Sequence, residues 1–312
     1  MIIDELLGNY EKRYFGAGHK RTVYYMNRLL QKEGERTYSS AEIENSNGTW
    51  SEKAGIEQKP HLSTIDGIVL AVMFAERYMQ EYLGESEIEK LFLASFEIKA
   101  GISPIEDLKD IRLSMKVPEV SECGSTFQIE ILGMRIKISF QKREENDAKV
   151  RKQNGEAGKN YFSEHLKYVK HDIRDIVFDG DNISCNVVRE LERSVNFCGV
   201  ESAFADSLSI LEWLVIFSQM GQVLAYHIDS VDRKVSETLW MKWVKAEMKE
   251  PYRYDKEIFV SGGITKRKWL KMGGETWSLF EMAGSALDNL IRFEGKITHK
   301  LPQKKEGERS DE

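Results

Sequence analysis

Two segments of this sequence share one plan. Residues 62–83 read LSTIDGIVLAVMFAERYMQEYL, and residues 208–228 read LSILEWLVIFSQMGQVLAYHI. With Asp66-Gly-Ile-Val-Leu laid over Glu212-Trp-Leu-Val-Ile, the apolar positions run in step, and each segment carries one carboxylate near its start. In the first, Ile65, Val69, Val72, Ala75, Met79 and Tyr82 recur at three and four, the period of a helix. Ser63 followed by Asp66 forms a capping box, Pro60 stands just ahead, and Gly84 is the expected stop. Asp206 is the expected N-cap of the second. Both segments are apolar nearly all round, so each predicts a buried helix rather than a surface one.

Short alternating runs follow each helix. In the first half they are Ile88–Ile98, Ile111–Val117, Phe127–Ile131 and Met134–Phe140. The last sets apolar residues on one face and Arg135, Lys137 and Ser139 on the other. Two earlier strands are expected around Arg21–Leu30 and Thr37–Glu44. In the second half a strand near Asp175–Val188 precedes the helix. Thr238–Met248, Glu257–Leu270, Thr276–Met282 and Leu290–His299 follow it. Gly262-Gly263 and Gly273-Gly274 are expected in tight turns between these strands. A helix followed by a curled antiparallel sheet, repeated once, predicts an α+β chain of double hot-dog type. An ordinary two-part α+β protein is the rival. The expected organisation is an N-terminal half, 1–142, a charged linker, 143–172, with one amphipathic helix around Tyr161–Val169, a C-terminal half, 173–301, and a disordered tail, 302–312.

The length of 312 residues allows two cores of about 150 residues. Net charge is −6 with acids and bases interspersed, which disfavours nucleic acid as a partner. No uninterrupted apolar run reaches the ~18 residues of a membrane span, and the acidic start does not read as a signal peptide. Three scattered cysteines, Cys123, Cys185 and Cys198, point to a reducing cytoplasm and to no metal site. No G-x-S-x-G, P-loop, H-E-x-x-H or complete dinucleotide fingerprint is present.

Three places could carry chemistry. In Pro60-His61-Leu62-Ser63-Thr64-Ile65-Asp66, a histidine and a carboxylate flank a helix N-terminus, whose free N–H groups can hold a thioester carbonyl oxygen or a developing oxyanion. His61 adds a proton acceptor tuned near neutrality. The plain alternative is a cap, Asp66, and a loop residue, His61. Glu212 lies inside an apolar run, where burial raises a carboxyl pKa and suits a general acid or base; a structural pairing with lysine is the alternative. In Tyr14-Phe-Gly16-Ala-Gly18-His19-Lys20-Arg21, two glycines ahead of three basic residues could form an anion-binding turn, or simply a solvated one. The six tryptophans, Trp213 among them, are expected in the core or a pocket wall.

The segments Tyr14–Arg21 and Pro60–Asp66, with the total length, resemble the avirulence protein D (AvrD) family of bacteria. The resemblance implies an enzyme of syringolide biosynthesis, similar in role to the A-factor-type butyrolactone synthases, which are double hot-dog proteins. It implies transfer of a β-ketoacyl group to a sugar-like hydroxyl, after which a ring-closing condensation can follow. The donor would be an acyl-carrier-protein or coenzyme A thioester, carrying phosphopantetheine as part of the substrate, and no other cofactor would be needed. The acceptor would be a small sugar or sugar phosphate. No nucleic acid, membrane or metal is expected, and a homodimer is left open. On position alone, His61, Asp66 and Glu212 are the catalytic candidates. Gly16, Gly18, His19, Lys20, Arg21, Ser63, Thr64 and Trp213 are the substrate-binding ones. Alternatives are a dehydratase or thioesterase using the same carboxylates, and a non-catalytic acyl- or lactone-binding protein.

Overall fold

Both long apolar segments fold as helices enclosed by protein. The structure, a computed structural model, describes residues 1–302 apart from 28–29, 47, 102, 119, 122–123, 144–157, 192–194, 237–238 and 254–255. Helix α1 (Thr64–Met79) and helix α2 (Ile210–Asp229) bury most of their residues all round, including Leu70, Phe74, Trp213 and Leu214. Each fully buried large apolar side chain contributes about 1.5–3 kcal/mol, so these helices are stabilised by packing far more than by propensity.

Both helices start with the same device. In α1 the Ser63 hydroxyl accepts from the Asp66 N–H and the Asp66 carboxyl accepts from the Ser63 N–H. In α2, Ser209 and Glu212 repeat the arrangement. Ser209, not Asp206, is therefore the N-cap of the second helix. Helix α1 ends at Met79, ahead of Gly84, which instead caps a short helix, Glu85–Ile88.

Twelve strands form the main path of a fourteen-stranded sheet; the short strands Gln31–Glu33 and Val120–Ser121 pair beside it. The N-terminal half supplies β1 (Thr22–Met26), β2 (Arg36–Asn45), β3 (Leu91–Lys99), β4 (Ile111–Lys116), β5 (Gly124–Ile131) and β6 (Met134–Lys142). The C-terminal half supplies β7 (Val169–Asp179), β8 (Asn182–Leu191), β9 (Leu239–Met248), β10 (Ile258–Met272), β11 (Glu275–Ala286) and β12 (Ile291–Lys300). Their order is β1-β2-β4-β5-β6-β3-β9-β12-β11-β10-β8-β7, every pair antiparallel. Read inward from either end, the two halves have the same order. They join edge to edge where Phe96 of β3 faces Ala246 of β9. In each half a hairpin precedes the helix and four strands follow it.

The register obeys the alternation in the sequence. On β6, Ile136, Ile138 and Phe140 are buried while Arg135 and Lys137 face out. Helix α1 comes close to the sheet at Gly67, where a Cβ would lie 3.2 Å from Ile98 and 3.3 Å from Ile136.

Four expectations are corrected. The stretch expected as one strand near Asp175–Val188 is the β7–β8 hairpin, turning at Gly180 with φ +57°. The described part of the expected linker, 158–172, is built into the protein: Tyr161, Phe162 and His165 are buried, and Val169 already pairs with Leu191. Its flanking lysines conceal aromatic core residues from a reading by charge. Gly262-Gly263 lies inside β10, not in a turn; a Cβ on Gly262 would sit 2.9 Å from the Ala283 carbonyl oxygen. Gly273-Gly274, with φ +59° and +81°, does make the β10–β11 turn. Trp269, expected inside, is 58 % exposed. The tail, 303–312, and Cys123 fall outside the described residues. Among those described, Cys185 and Cys198 are free thiols, and no helix is long and apolar enough to cross a membrane.

Candidate functional site

A cavity of about 810 Å³ runs between the two halves, within the range of small-molecule sites. One arm is apolar. It follows the flank of α2 and the strands facing it, lined by Ile183, Phe217, Met220, Leu224, Met282 and Phe293. Glycine lets Phe217 pack directly against its strand: a Cβ on Gly284 would come within 2.6 Å of the Phe217 ring. The other arm is polar. His61, Ser63 and Thr64 bring the start of α1 to it, and Lys53 and Arg233 bring positive charge.

The N-terminus of α1 faces this polar arm. Its first-turn N–H groups lack partners within the helix. Ser63 is hydrogen-bonded to the Tyr14 hydroxyl, and the Tyr24 hydroxyl donates to Asp66 Oδ1 at 2.7 Å. Burial raises the Asp66 carboxyl above its ordinary value, against the opposing hydrogen bonds from Ser63 and Tyr24. Burial, then the nearby Asp66 charge, also holds the Tyr14 phenol well above its ordinary value, so it stays neutral. His61 packs edge-on against Trp50, with ring centroids 4.7 Å apart, and its Nδ1 lies 3.2 Å from the Lys59 carbonyl oxygen. Asp66 spends its oxygens on Ser63 and Tyr24, so it does not orient His61 through a hydrogen bond.

Glu212 is not at this site. It is fully buried at the matching end of α2, where Arg189 donates from Nε at 2.8 Å and from Nη2 at 3.1 Å. His171 Nε2 lies 2.9 Å away, and His165 Nε2 is 2.7 Å from the Ser209 hydroxyl. Burial alone would raise this carboxyl. The Arg189 charge and the His171 hydrogen bond outweigh it and hold Glu212 well below its ordinary value. The raised acid expected from its apolar neighbours is thus corrected: its partner is an arginine 23 residues away. Trp213 is fully buried beside Phe217 and lies in the core, off the cavity wall.

The Gly16–Arg21 segment is corrected as well. A Cβ on Gly16 would collide with the Tyr10 carbonyl, and one on Gly18 with the Trp50 carbonyl. These glycines permit close backbone packing rather than an anion-binding turn. His19 is buried, hydrogen-bonded through Nδ1 to the Tyr14 carbonyl at 2.8 Å, and burial lowers it to about 3. Lys20 lies over the Tyr10 ring, and Arg21 pairs with Glu11 at 2.9 Å. None of Gly16, Gly18, His19, Lys20 and Arg21 lines the cavity.

Of the sequence-derived candidates, the fold therefore brings His61, Ser63 and Thr64 to the cavity wall, with Asp66 behind Ser63. Sequence reasoning missed the cations. Lys53 lies on the short strand Glu52–Lys53 and Arg233 in the turn after α2, both in polar stretches of ordinary composition, and Arg233 is tied by Nη2 to the Glu52 carbonyl at 3.0 Å. Among the described residues, no group of three or more His, Cys, Asp or Glu side chains is placed to hold a metal ion.

Comparison with known proteins places the chain more firmly. Similar solved structures include the acyl-CoA thioesterase II TesB2 from Mycobacterium marinum, at 9 % identity with TM-score 0.45 over 88 % of this chain and 97 % of that one. The dehydratase domain of RzxB from Pseudomonas fluorescens is similar at 10 % identity and TM-score 0.38, over 87 % and 95 %. An acyl-ACP thioesterase from Bacteroides thetaiotaomicron is similar at 6 % identity and TM-score 0.41, over 90 % and 99 %. No curated relative matches the chain by sequence. The family model described as Pseudomonas avirulence D protein (AvrD) matches residues 1–302, and the chain belongs to that family.

Proposed function

We propose that this protein transfers an acyl group, of β-ketoacyl type, from an acyl-carrier-protein or coenzyme A thioester to the hydroxyl of a small sugar-like acceptor. The observation that carries this reading is the mixed lining of one cavity: apolar residues along α2 together with polar residues at the start of α1. An acyl chain fits the apolar arm. The reacting carbonyl belongs in the polar one, where the Thr64 and Ile65 N–H groups at the start of α1 can stabilise an oxyanion; one such donor is typically worth roughly 3–4 kcal/mol in a transition state. His61 hydrogen-bonds the acceptor hydroxyl and draws off its proton. Arg233 takes the role first given to Lys20 and Arg21, holding the phosphate of the pantetheine arm or of a sugar phosphate. Membership of the AvrD family supports the same chemistry through the resemblance to syringolide formation.

The same reading takes the chain as a double hot-dog. The N-terminal half is 1–142, the C-terminal half begins near residue 158, and the two meet at β3 and β9. The test is product analysis. Protein incubated with a β-ketoacyl-coenzyme A and xylulose or dihydroxyacetone phosphate should release thiol and form the acyl ester, read by mass spectrometry. Release of free acid alone would make the protein a thioesterase, and an enoyl product a dehydratase. No thiol release with any chain length would contradict acyl transfer.

A further inference from the structure

Helix α2 ends at Asp229, capped by Ser230 in the left-handed region at φ +51°. The chain then turns tightly: the Ser236 N–H donates to the Asp232 carbonyl at 3.0 Å, and the Lys234 N–H to Asp232 Oδ1 at 2.7 Å. This turn sets Ser236 on the cavity wall. Its Oγ lies 3.1 Å from Nε2 of His299, near the end of β12. Nδ1 of that histidine lies 2.7 Å from Asp229 Oδ2. Arg267, from β10, donates to the other oxygen, Asp229 Oδ1, at 2.6 Å. The His299 and Asp229 side chains are both fully buried. The Lys53 ammonium donates to Ser236 Oγ at 3.0 Å.

This is a serine, histidine and aspartate in hydrogen-bond series, with the serine facing a substrate-sized cavity. A carboxylate can only accept, so Asp229 fixes the proton of His299 on Nδ1 and leaves Nε2 as the acceptor for Ser236 O–H. Arg267 fixes Asp229 in turn. Mutual satisfaction of buried polar groups accounts for His299 and Asp229. It does not require the third member to stand on the cavity wall beside a lysine.

We propose that Ser236 is a nucleophile that carries the acyl group between donor and acceptor, with His299 moving its proton and Asp229 as a positioning residue. The proposal rests on the acyl-transfer reading above and adds a covalent intermediate to it. Ser236 Oγ attacks the thioester carbonyl carbon while its proton passes to His299 Nε2. Lys53 offsets the negative charge that forms on the carbonyl oxygen. The C–S bond then breaks, and the thiol leaves with the proton from His299. In the second half-reaction the acceptor hydroxyl, positioned by His61, attacks the Ser236 ester. On this route His299, not His61, is the base: the acceptor's proton passes to His299 Nε2 and from there to Ser236 Oγ, which leaves as the free hydroxyl. Nothing is oxidised or reduced, and the sum is thioester plus alcohol giving ester plus thiol. The three residues fall in the order Asp, Ser, His along the chain and share no short motif.

Two measurements test this on the full chain. The first is reaction with an alkyl fluorophosphonate, which reports an activated serine without any acyl substrate. The second is thiol release from a β-ketoacyl-coenzyme A, with peptide mass spectrometry of the quenched protein. The expected results are fluorophosphonate labelling of Ser236 and an acyl adduct on the same peptide. Both should be lost in Ser236→Ala, and the adduct retained in Ser236→Cys. Asp229→Asn should slow labelling and kcat at least tenfold with the thioester KM unchanged, a split that a merely structural role would not give. Absence of labelling at Ser236 overturns the proposal even if thiol is released. So does a Ser236→Ala variant that releases thiol at the wild-type rate, and in that case direct transfer at His61 stands. Labelling without thiol release from any chain length removes the acyl-transfer reading and the proposed relay with it.

Discussion

The two helix N-termini are built alike and end up chemically opposite. Each has a serine cap, a carboxylate three residues on, and a partner for each from the chain before the helix. At α1 the cap is met by Tyr14 and the carboxylate by Tyr24. At α2 the cap is met by His165 and the carboxylate by His171. Tyr24 and His171 even hold the same place, third in β1 and third in β7. The difference is Arg189. It turns the α2 end into a closed ion pair, whereas the α1 end keeps neutral partners and opens on the cavity. A repeated fold thus supplies two equivalent helix ends, and one buried cation decides which is structure and which is available for chemistry.

The largest effect expected from breaking this contrast is on stability. Arg189→Ala leaves the Glu212 carboxylate buried without its cation, and loss of one partner from such a pair costs about 3–5 kcal/mol. Tyr24→Phe at the equivalent place removes one hydrogen bond and should cost about 0.5–1.5 kcal/mol. Urea unfolding of both variants checks this, and equal losses would erase the distinction between the ends.

On activity the order reverses. His61→Ala should lower turnover by roughly a hundredfold, the usual scale for a lost proton acceptor, with little change in melting temperature because the ring is only half-buried. Glu212→Gln should lower stability, and turnover only in proportion to the protein lost. A steady-state assay below the melting temperature of both variants separates the two.

A smaller effect sharpens the claim for the apolar arm. Gly221 lies on α2 at the cavity wall, and its Cβ would lie 3.4 Å from the Met282 sulfur, an ordinary contact. Gly221→Ala therefore fits and should stabilise the helix by up to about 1 kcal/mol. Gly221→Leu should push into the arm and shift the preferred acyl chain to shorter lengths, read from kcat/KM across a chain-length series. An unchanged preference would move the acyl chain elsewhere.

The smallest effect is in pH dependence, and the two ends have opposite signs. Glu212 is lowered in the folded state, so its stabilisation is present above its unfolded value and is lost as pH falls through the acid range. Asp66 is raised, so the folded state holds its proton longer, and stability is lost as pH rises from the unfolded value through the folded one. On acidification from neutral, wild type should lose its advantage over Glu212→Gln and gain relative to Asp66→Asn. Chemical denaturation between about pH 7 and 3 reads both slopes, and slopes of one sign would contradict the assignment.

The helices, their caps at Ser63 and Asp66, and the strands after them were legible because a period of 3.6 or 2 is written locally. The repeat itself was legible because Asp66 and Glu212 fall in the same place in that period. Strand order was not, since edge-to-edge joining of β3 and β9 leaves no local mark. The state of Glu212 was hidden for the same reason: Leu211 and Trp213 announce burial, but Arg189 and His171 arrive from the hairpin ahead of the helix, 23 and 41 residues away. Gly16 and Gly18 read as an anion turn because glycine next to basic residues has that signature. What they accommodate, the Tyr10 and Trp50 backbones, is not written beside them. Ser236, His299 and Asp229 were invisible, because a series of hydrogen bonds across three elements has no spacing to recognise.

The most direct test of the central claim is a crystal structure with a non-hydrolysable β-ketoacyl pantetheine analogue. The acyl chain is expected beside Phe217, Met220 and Met282, with the carbonyl in the polar arm that Ser63, Thr64 and His61 border, and the Glu212–Arg189 pair undisturbed. An analogue bound at the Ser209 end of α2, or outside the cavity altogether, would contradict it.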